Sequence, residues 1–332
     1  MKRHCFRLFA AILLTCAPAR ADVFNMPSGQ TSVQFVTIGD AGNGADTTGY
    51  GAVGYVYKMD KYDVTAAQYT EFLNAVASND TYGLWNSYMA TDFPTVSITR
   101  NGRPGSYTYS VAGNGNVPIF AASWSDAARF TNWLHNGQPT GSEAPGTTET
   151  GAYTLNGATS NAALMTVTRN AGARYFIPSE NEWYKSAYYK SGGTAAGYWT
   201  YATRSDVVPS SLLSALGTNN ANYYDNGQSD PVNYLTSVGA FASSPSAYGT
   251  FDQAGNVWQW NESITDGAAR GLRGGSLGAT SDYLPSSSRI HNVPTVEYGD
   301  IGFRIAMVPE PGTMTLLACG AAGLLLWAQR RR

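Results

Sequence analysis

The first feature that could do chemistry is the pattern G-x-S-x-G in the stretch RGGSLGATSDYLPSSSR, which places Ser276 between glycines. This pattern is typical of a sharp turn that exposes a nucleophilic serine. His291 could act as the base for that serine, with Asp282 or Asp300 orienting the imidazole. The mechanism requires a helix directly after the serine, but the next residues have no helical period and include a proline. A serine hydrolase is therefore the less favoured interpretation of this stretch.

Three segments carry the start signals of helices that would form the frame around this stretch. Capping boxes begin at Thr65 and at Ser179, each followed three residues later by Gln or Glu and then by apolar residues at helical spacing. Between them, the stretch SWSDAARFTNWLHN offers Ser123 or Ser125 as the N-cap of a further helix. The sequence thus predicts three short helices.

The rest of the chain is interrupted every few residues by Gly, Pro, Asn and Ser. Short runs at 33–38 and 173–178 are typical of strands, and the polar stretch 138–161 lacks periodicity and is predicted to be a surface loop. A few helices among many short strands predict one α+β domain, low in regular secondary structure, over residues 22–308.

The chain is 332 residues long, and 43% of it is hydrophobic and 13% aromatic, which is enough for a sizeable core. Only 13% is charged and the formal net charge is -2, so no nucleic-acid partner is indicated. The three cysteines, Cys5, Cys16 and Cys319, all lie in the two terminal segments. We therefore expect the exported domain to have no disulfide and no cysteine metal site.

Both ends of the chain have the composition of targeting segments. Residues 1–21 combine early basic residues, an apolar run and small residues at the end, and are predicted to be a secretory signal peptide. The last segment, 309–332, contains a Pro-Glu-Pro box, an uncharged run over 313–328 that could form a transmembrane helix, and terminal arginines.

This order of box, apolar run and arginines resembles the PEP-CTERM sorting tail of Gram-negative bacteria. The resemblance implies recognition by an exosortase, cleavage near the box, and delivery to the cell surface or extracellular matrix. Membrane contact would then occur only through the C-terminal segment. The alternative is an ordinary C-terminal membrane anchor.

Six ordered blocks between the two ends form a recognisable series: YDVTAAQYTEFLNAV, VPIFAASWSDAARFTNWL, ARYFIPSENEWYKSAYY, AYGTFDQAGNVWQWNE, GLRGGS and GFRIA. The series resembles the formylglycine-generating enzyme, or sulfatase-modifying factor, family. The resemblance implies a single domain with a variant of the C-type-lectin-like fold, often bound to calcium. In these blocks we expect the tryptophans to pack in the core and Arg273 and Arg304 to tie loops together.

The resemblance also implies two calcium sites, built from the oxygen ligands that this cation prefers. The first would use the side chains of Asn222 and Asp230 with the carbonyls of Tyr223 and Val232.

The second calcium site would use the side chains of Asp252 and Gln259 with the carbonyls of Gly255 and Val257. It departs from the family because Gln259 stands where glutamate is usual and Asp252 where asparagine is common. A simpler interpretation is that Asp230 and Asp252 are turn residues.

Members of the family that make formylglycine are implied to bind copper(I) through two cysteines shortly after the GGS block. Soft thiolates select that metal. The corresponding positions here are Ala279 and Leu284, which cannot ligate copper. We therefore predict no copper and no formylglycine production by the known route. Iron-dependent relatives take histidines from an additional helical domain, whereas the exported histidines here are His135 and His291.

Two functions from different classes remain open. The first is a binding or structural protein of the cell surface or matrix, which would present the loop 277–296 to an extracellular polysaccharide or protein. The second is an enzyme of unassigned chemistry, an oxidoreductase-like relative, with a cleft lined by Ser276, Asp282, Tyr283, Arg289 and His291. Convergence of Arg289, His291 and a carboxylate in one closed pocket would favour the enzyme.

Overall fold

The computed structural model describes residues 22–25 and 32–308. The predicted signal peptide at 1–21, the sorting tail at 309–332 and its apolar run at 313–328 lie outside these described residues. Within them, no helix combines the length and apolar character that crossing a membrane requires.

Five α-helices and one 3₁₀ turn lie among eleven short strands in the described part of the chain. The helices are α1 (Ala66–Val76), α2 (Tyr88–Thr91), α3 (Trp124–His135), α4 (Asn161–Met165) and α5 (Glu180–Tyr188), and the 3₁₀ turn is Ser281–Tyr283. The strands are β1 (Asp22–Asn25), β2 (Ser32–Ile38), β3 (Tyr57–Asp60), β4 (Val96–Asn101), β5 (Thr108–Gly113), β6 (Tyr175–Phe176), β7 (Trp258–Thr265), β8 (Ala269–Arg273), β9 (Ile290–Asn292), β10 (Ile301–Gly302) and β11 (Ala306–Met307). The predicted α+β fold with few helices and many short strands is confirmed.

The strands form three sheets. A five-stranded sheet has the order β1-β2-β3-β11-β6, a four-stranded sheet has the order β10-β7-β8-β9, and β4 and β5 form a hairpin. Strand β11 pairs with both β3 and β6, so the last described strand closes the sheet that the first strands begin. The stretch RGGSLGATSDYLPSSSR connects two strands of the four-stranded sheet, because β8 ends at Arg273 and β9 begins at Ile290.

The three predicted helices begin where their caps predict. Thr65, Ser123 and Ser179 each accept a hydrogen bond from the backbone of the third helical residue, and all three form complete capping boxes. Of the two candidate caps for α3, Ser123 is therefore the one used. Local chemistry fixes these boundaries because the capping partners are only three residues apart.

The helices pack through aromatic side chains. Phe130 of α3 lies with its ring centroid 5.3 Å from that of Phe72 on α1 and 5.4 Å from that of Phe303. A second cluster of buried residues forms around α5 and includes Trp183, Tyr184 and Leu284. The tryptophans in the family blocks are all buried, as predicted: Trp124, Trp133, Trp183, Trp258 and Trp260.

Two sequence predictions need correction. The strand predicted over 173–178 is confined to Tyr175–Phe176. The stretch 138–161 contains no strand and only the first residue of α4, but it is not simply a surface loop. Tyr153 and Leu155 are buried in the main core, and Glu149 forms a buried ion pair with Arg129 of α3, with Oε1 and Nε 2.7 Å apart. The polar residues of the stretch 138–161 therefore include buried side chains with hydrogen-bond partners as well as exposed ones.

Candidate functional site

The RGGS block forms a tight turn at the end of strand β8. Gly274 and Gly275 have φ angles of +102° and +77°, values that residues with a side chain rarely adopt. A Cβ atom at Gly275 would also lie 2.7 Å from Leu284 Cδ2, which is too close for two carbon atoms. Backbone conformation therefore accounts for both glycines, and packing against Leu284 also favours glycine at position 275.

Ser276 is fully buried at this turn. Its hydroxyl donates a hydrogen bond of 2.8 Å to Asp300 Oδ2. His291 lies on strand β9, and its Nε2 is 3.6 Å from Oδ2 of the exposed Asp266. Because the serine and the histidine each have a different carboxylate partner, the described residues do not assemble a serine–histidine–aspartate triad. The backbone beyond the serine forms a 3₁₀ turn instead of a helix.

Arg289 belongs to a buried ionic network instead of an open cleft. Its Nε lies 3.1 Å from Glu180 Oε2, and the same carboxylate also pairs with Nε of Arg273. Arg273 further donates to the carbonyls of Ser286 and Ser288, both at 2.7 Å. These contacts confirm the prediction that Arg273 ties loops together. They also anchor residues 286–289 to Glu180 of α5.

The remaining cleft candidates, Asp282 and Tyr283, are exposed on the 3₁₀ turn. The Tyr283 ring packs edge-on against Trp258, with centroids 5.7 Å apart. The structure thus separates the five candidates into a buried serine, a partly buried arginine and three surface side chains. They do not converge on one closed pocket.

The two positions implied for copper ligands are occupied by buried apolar side chains. Leu284 is fully buried in the cluster around α5, and Ala279 is 8% exposed. The Ala279 carbonyl accepts a 2.9 Å hydrogen bond from the amide of Tyr224. Within the described residues, no group of three or more His, Cys, Asp or Glu side chains could hold a metal ion. Both positions act here as packing positions.

The residues implied for the first calcium site fit an oxygen-coordinated cation in one respect. Asn222 Oδ1 is buried and has no hydrogen-bond donor among the described residues, while its amide group donates to the carbonyl of Tyr234. Asp230 accepts hydrogen bonds from the amides of Val232 and Asn233, which hold its carboxylate in a turn. An unpaired buried oxygen of this kind fits a cation or a donor that completes its coordination.

The residues implied for the second calcium site do not fit in their present arrangement. Gln259 Oε1 accepts hydrogen bonds from Arg304 Nε and Trp183 Nε1, both at 2.7 Å, and its amide donates to the carbonyl of Asp252. A cation at this oxygen would have to displace the guanidinium. Arg304 also pairs with Asp63 Oδ1 at 2.8 Å, which confirms its predicted role in joining loops.

The Asp252 carboxylate is engaged as well, because it accepts a 2.7 Å hydrogen bond from the Gly239 amide. Burial raises the pKa of Asp252 to about 6, although that hydrogen bond and the charge of Arg304 oppose the shift. Calcium binding by Asp252, Gln259 and the carbonyls of Gly255 and Val257 stays a prediction.

The structure also contains a partly buried ionic cluster centred on Arg169, which the sequence did not predict. This guanidinium pairs with Glu182 at 2.7 Å and with Glu262 at 2.6 Å, and Tyr153 donates to Glu262 as well. Burial raises the pKa of Glu182, but the hydrogen bonds and charge of Arg169 outweigh burial and hold the pKa below its ordinary value. For Glu262 burial dominates and raises the pKa.

The Arg169 cluster forms one wall of a pocket of about 240 Å³. Arg270 contributes a second guanidinium, and burial lowers its pKa to about 10. The complete lining is Tyr153, Val167, Thr168, Arg169, Glu262, Ile264 and Arg270. The pocket joins residues up to about a hundred positions apart, so no local motif could have revealed it.

The chain is similar to known proteins in sequence and in fold. A curated relative, the formylglycine-generating enzyme of Streptomyces coelicolor, is 25% identical over 280 residues, which is 77% of this chain and 72% of the relative. The crystal structure of CarF matches 84% of this chain and 99% of its own, with 20% identity and a TM-score of 0.50. Treponema denticola variable protein 1 matches 88% of this chain and 100% of its own, with 16% identity and a TM-score of 0.51. At these identities the two structures establish the fold.

Family models match both parts of the chain. Residues 308–332 match the PEP-CTERM protein-sorting motif, which is typical of exported proteins that are sorted to the cell envelope. Residues 37–308 match the sulfatase-modifying factor enzyme 1-like domain. Because this second match covers most of the chain, the protein belongs to the sulfatase-modifying factor enzyme 1-like domain family.

Proposed function

We propose that this chain is an exported surface or matrix protein in which the sulfatase-modifying factor domain binds a ligand or serves a structural role and does not oxidise cysteine. The observation that carries the proposal is the packing of Ala279 and Leu284. A copper(I) site needs thiolates at these positions, and the chain has buried methyl groups there. No cysteine occurs between residues 22 and 308 to take their place.

The loop 277–296 is the proposed recognition surface. Its buried residues, including Leu284, fix the backbone, while Thr280, Asp282, Tyr283 and His291 are exposed. An aromatic ring among hydroxyl and carboxylate groups suits an extracellular polysaccharide or a polar protein surface. Rigid anchoring reduces the entropy that such a loop loses on binding, which supports its use as a recognition surface.

A binding experiment tests this surface. Retention of the purified protein on matrix material from the producing cells should fall when Tyr283 and Asp282 are both replaced by alanine. Tyr88→Ala is the matched control, because Tyr88 is an exposed tyrosine on α2. Equal retention of all three proteins would exclude the loop as the binding surface.

We further propose calcium as a structural ligand of the first site, because Asn222 Oδ1 is buried and accepts no hydrogen bond from the described residues. Asn222 and Asp230 would supply side-chain oxygens, and Tyr223 and Val232 their carbonyls. Calcium would complete the coordination of a buried polar atom and join two loop segments.

For the tail, we propose recognition by an exosortase-type enzyme of a Gram-negative bacterium, cleavage near the Pro-Glu-Pro box and release to the surface or matrix. The match of residues 308–332 to the sorting motif supports this proposal. Mass spectrometry of the exported protein should find a C-terminus near Pro311. An intact Arg332 on the exported protein would instead indicate a permanent membrane anchor.

A second candidate function is an enzyme of unassigned chemistry. The observation in its favour is the pocket beside Arg169, because a partly buried carboxyl with a raised pKa, Glu262, lies next to two guanidinium groups. This site differs from the predicted cleft around Ser276. Screening of hydrolase and oxidase substrates with the wild type and Glu262→Gln would test it, and activity lost only in the variant would favour the enzyme.

A further inference from the structure

The loop of residues 207–216, with the sequence VVPSSLLSAL, exposes large aliphatic side chains and contains no charged residue. We refer to it as the aliphatic loop. Val207 is 71% exposed, Leu212 69% and Leu216 87%, and Val208 and Leu213 are 47% and 43% exposed. Single exposed apolar residues are ordinary, but five within ten positions concentrate apolar surface in one loop, and concentrated apolar surface is typical of interaction sites.

The aliphatic loop is held in place by hydrogen bonds from its own flanks. The Asn219 side-chain amide donates to the carbonyls of Val207 and Val208 at 3.0 and 3.2 Å. Asn220 donates to the carbonyl of Leu212 at 2.6 Å, and the Tyr223 hydroxyl donates to that of Pro209 at 2.7 Å. The backbone is thus anchored to the domain while its leucines point into solvent.

We propose that the aliphatic loop inserts into the surface of a lipid bilayer. Its composition distinguishes lipid from a protein partner: binding hot spots of proteins are enriched in Trp, Tyr and Arg, whereas Leu and Val are under-represented. The loop has only Val and Leu as its large side chains, together with small residues. A fluid acyl phase accepts such side chains without shaped pockets.

The chain itself brings the domain close to a membrane. The uncharged run of the sorting tail begins at Thr313, five residues after Val308, the last residue described. Five residues span at most about 18 Å. With the apolar run in a bilayer, Val308 would remain within this distance of it, and this tethering would raise the effective concentration of lipid at the surface of the domain.

Each fully exposed leucine that moves from water into the acyl region is expected to raise the membrane partition constant about tenfold, because of the free energy gained when its side chain leaves water. Leu212, Leu213 and Leu216 together therefore dominate insertion. Replacing Leu212 and Leu213 by serine should weaken contact at least tenfold, with the larger share from Leu212, which is 69% exposed, and a smaller share from Leu213, which is 43% exposed. The domain should stay folded because neither side chain belongs to the buried core.

The test uses the chain from Asp22 to Arg332 with Cys319→Ser, reconstituted with its tail in phosphatidylcholine vesicles. An environment-sensitive fluorophore is attached to Leu216→Cys, and in a control protein to Tyr88→Cys, a 53% exposed position on α2. Vesicles with nitroxide-labelled lipids should quench the label at 216 strongly and that at 88 weakly. The blue shift at 216 should be lost when Leu212 and Leu213 are serines.

Two results would overturn the proposal. Equal quenching at positions 216 and 88 would show that the aliphatic loop stays in water. A blue shift that rises with protein concentration but is insensitive to nitroxide lipids would show that a second copy of the chain covers the loop. Neither result depends on the proposed ligand of the loop 277–296.

Discussion

Replacing Leu284 by alanine should destabilise the domain markedly if this position serves packing. Leu284 is fully buried among aromatic side chains, and its Cδ2 fills the space beside Gly275. Leu→Ala changes at such sites cost 2–5 kcal/mol, and full burial places the expected loss at about 3 kcal/mol. The melting temperature should then fall by roughly 6–12 °C, since about 2–4 °C accompany each kcal/mol in large domains.

Urea unfolding followed by circular dichroism and by tryptophan fluorescence would measure this loss of unfolding free energy. Asp282→Ala, two residues away and exposed, is the matched control and should change the free energy of unfolding by no more than about 0.5 kcal/mol. The reasoning would be refuted if Leu284→Ala were as stable as the control. In that case the Leu284 side chain would not stabilise the turn at Gly274 and Gly275, and packing would not explain the leucine at this position.

Three further predictions concern the Arg169 cluster, the Asp60 carboxyl and the unpaired side-chain oxygen of Asn222. Arg169→Met should reduce the free energy of unfolding by about 3–5 kcal/mol, because it leaves the buried Glu182 carboxylate without its cation and removes one of the two guanidinium groups beside Glu262. The exposed Arg103→Met should be neutral by the same urea assay. Burial raises the pKa of Asp60 from 3.8 to about 8. Between these two pH values the Asp60 carboxyl is therefore protonated in the folded protein and ionised in the unfolded chain. Stability should fall as pH rises through that window, by at most about 1.4 kcal/mol per pH unit, and Asp60→Asn should flatten the profile in thermal scans. Millimolar calcium should raise the melting temperature of the wild type but not of Asn222→Ala, and an equal rise in both would exclude the first calcium site.

The parts of the fold that the sequence predicts well are those fixed by nearby residues. The capping boxes at Thr65, Ser123 and Ser179 specify their helices because each cap and its partner are three residues apart. The burial of the tryptophans is expected from the large apolar area of indole. Both signals can be recognised before any tertiary contact is known.

The site was predicted less well because it depends on distant contacts. The polar stretch 138–161 lacks a helical or strand period, but Glu149 enters the core because Arg129 is there to neutralise it. Ser276 matched a nucleophile pattern, and only the structure shows that its partner is Asp300, 24 residues away. Pairs so far apart leave no local period or motif in the sequence.

We propose that this sulfatase-modifying factor domain does not carry out the copper chemistry of formylglycine-generating enzymes. The most direct measurement is incubation of the purified domain with copper(I), oxygen and a Cys-x-Pro-x-Arg sulfatase peptide, followed by metal analysis and mass spectrometry of the peptide. Because Ala279 and Leu284 offer no thiolate, we expect that no copper is retained and that the peptide cysteine is unchanged. Stoichiometric copper together with a formylglycine product would contradict it.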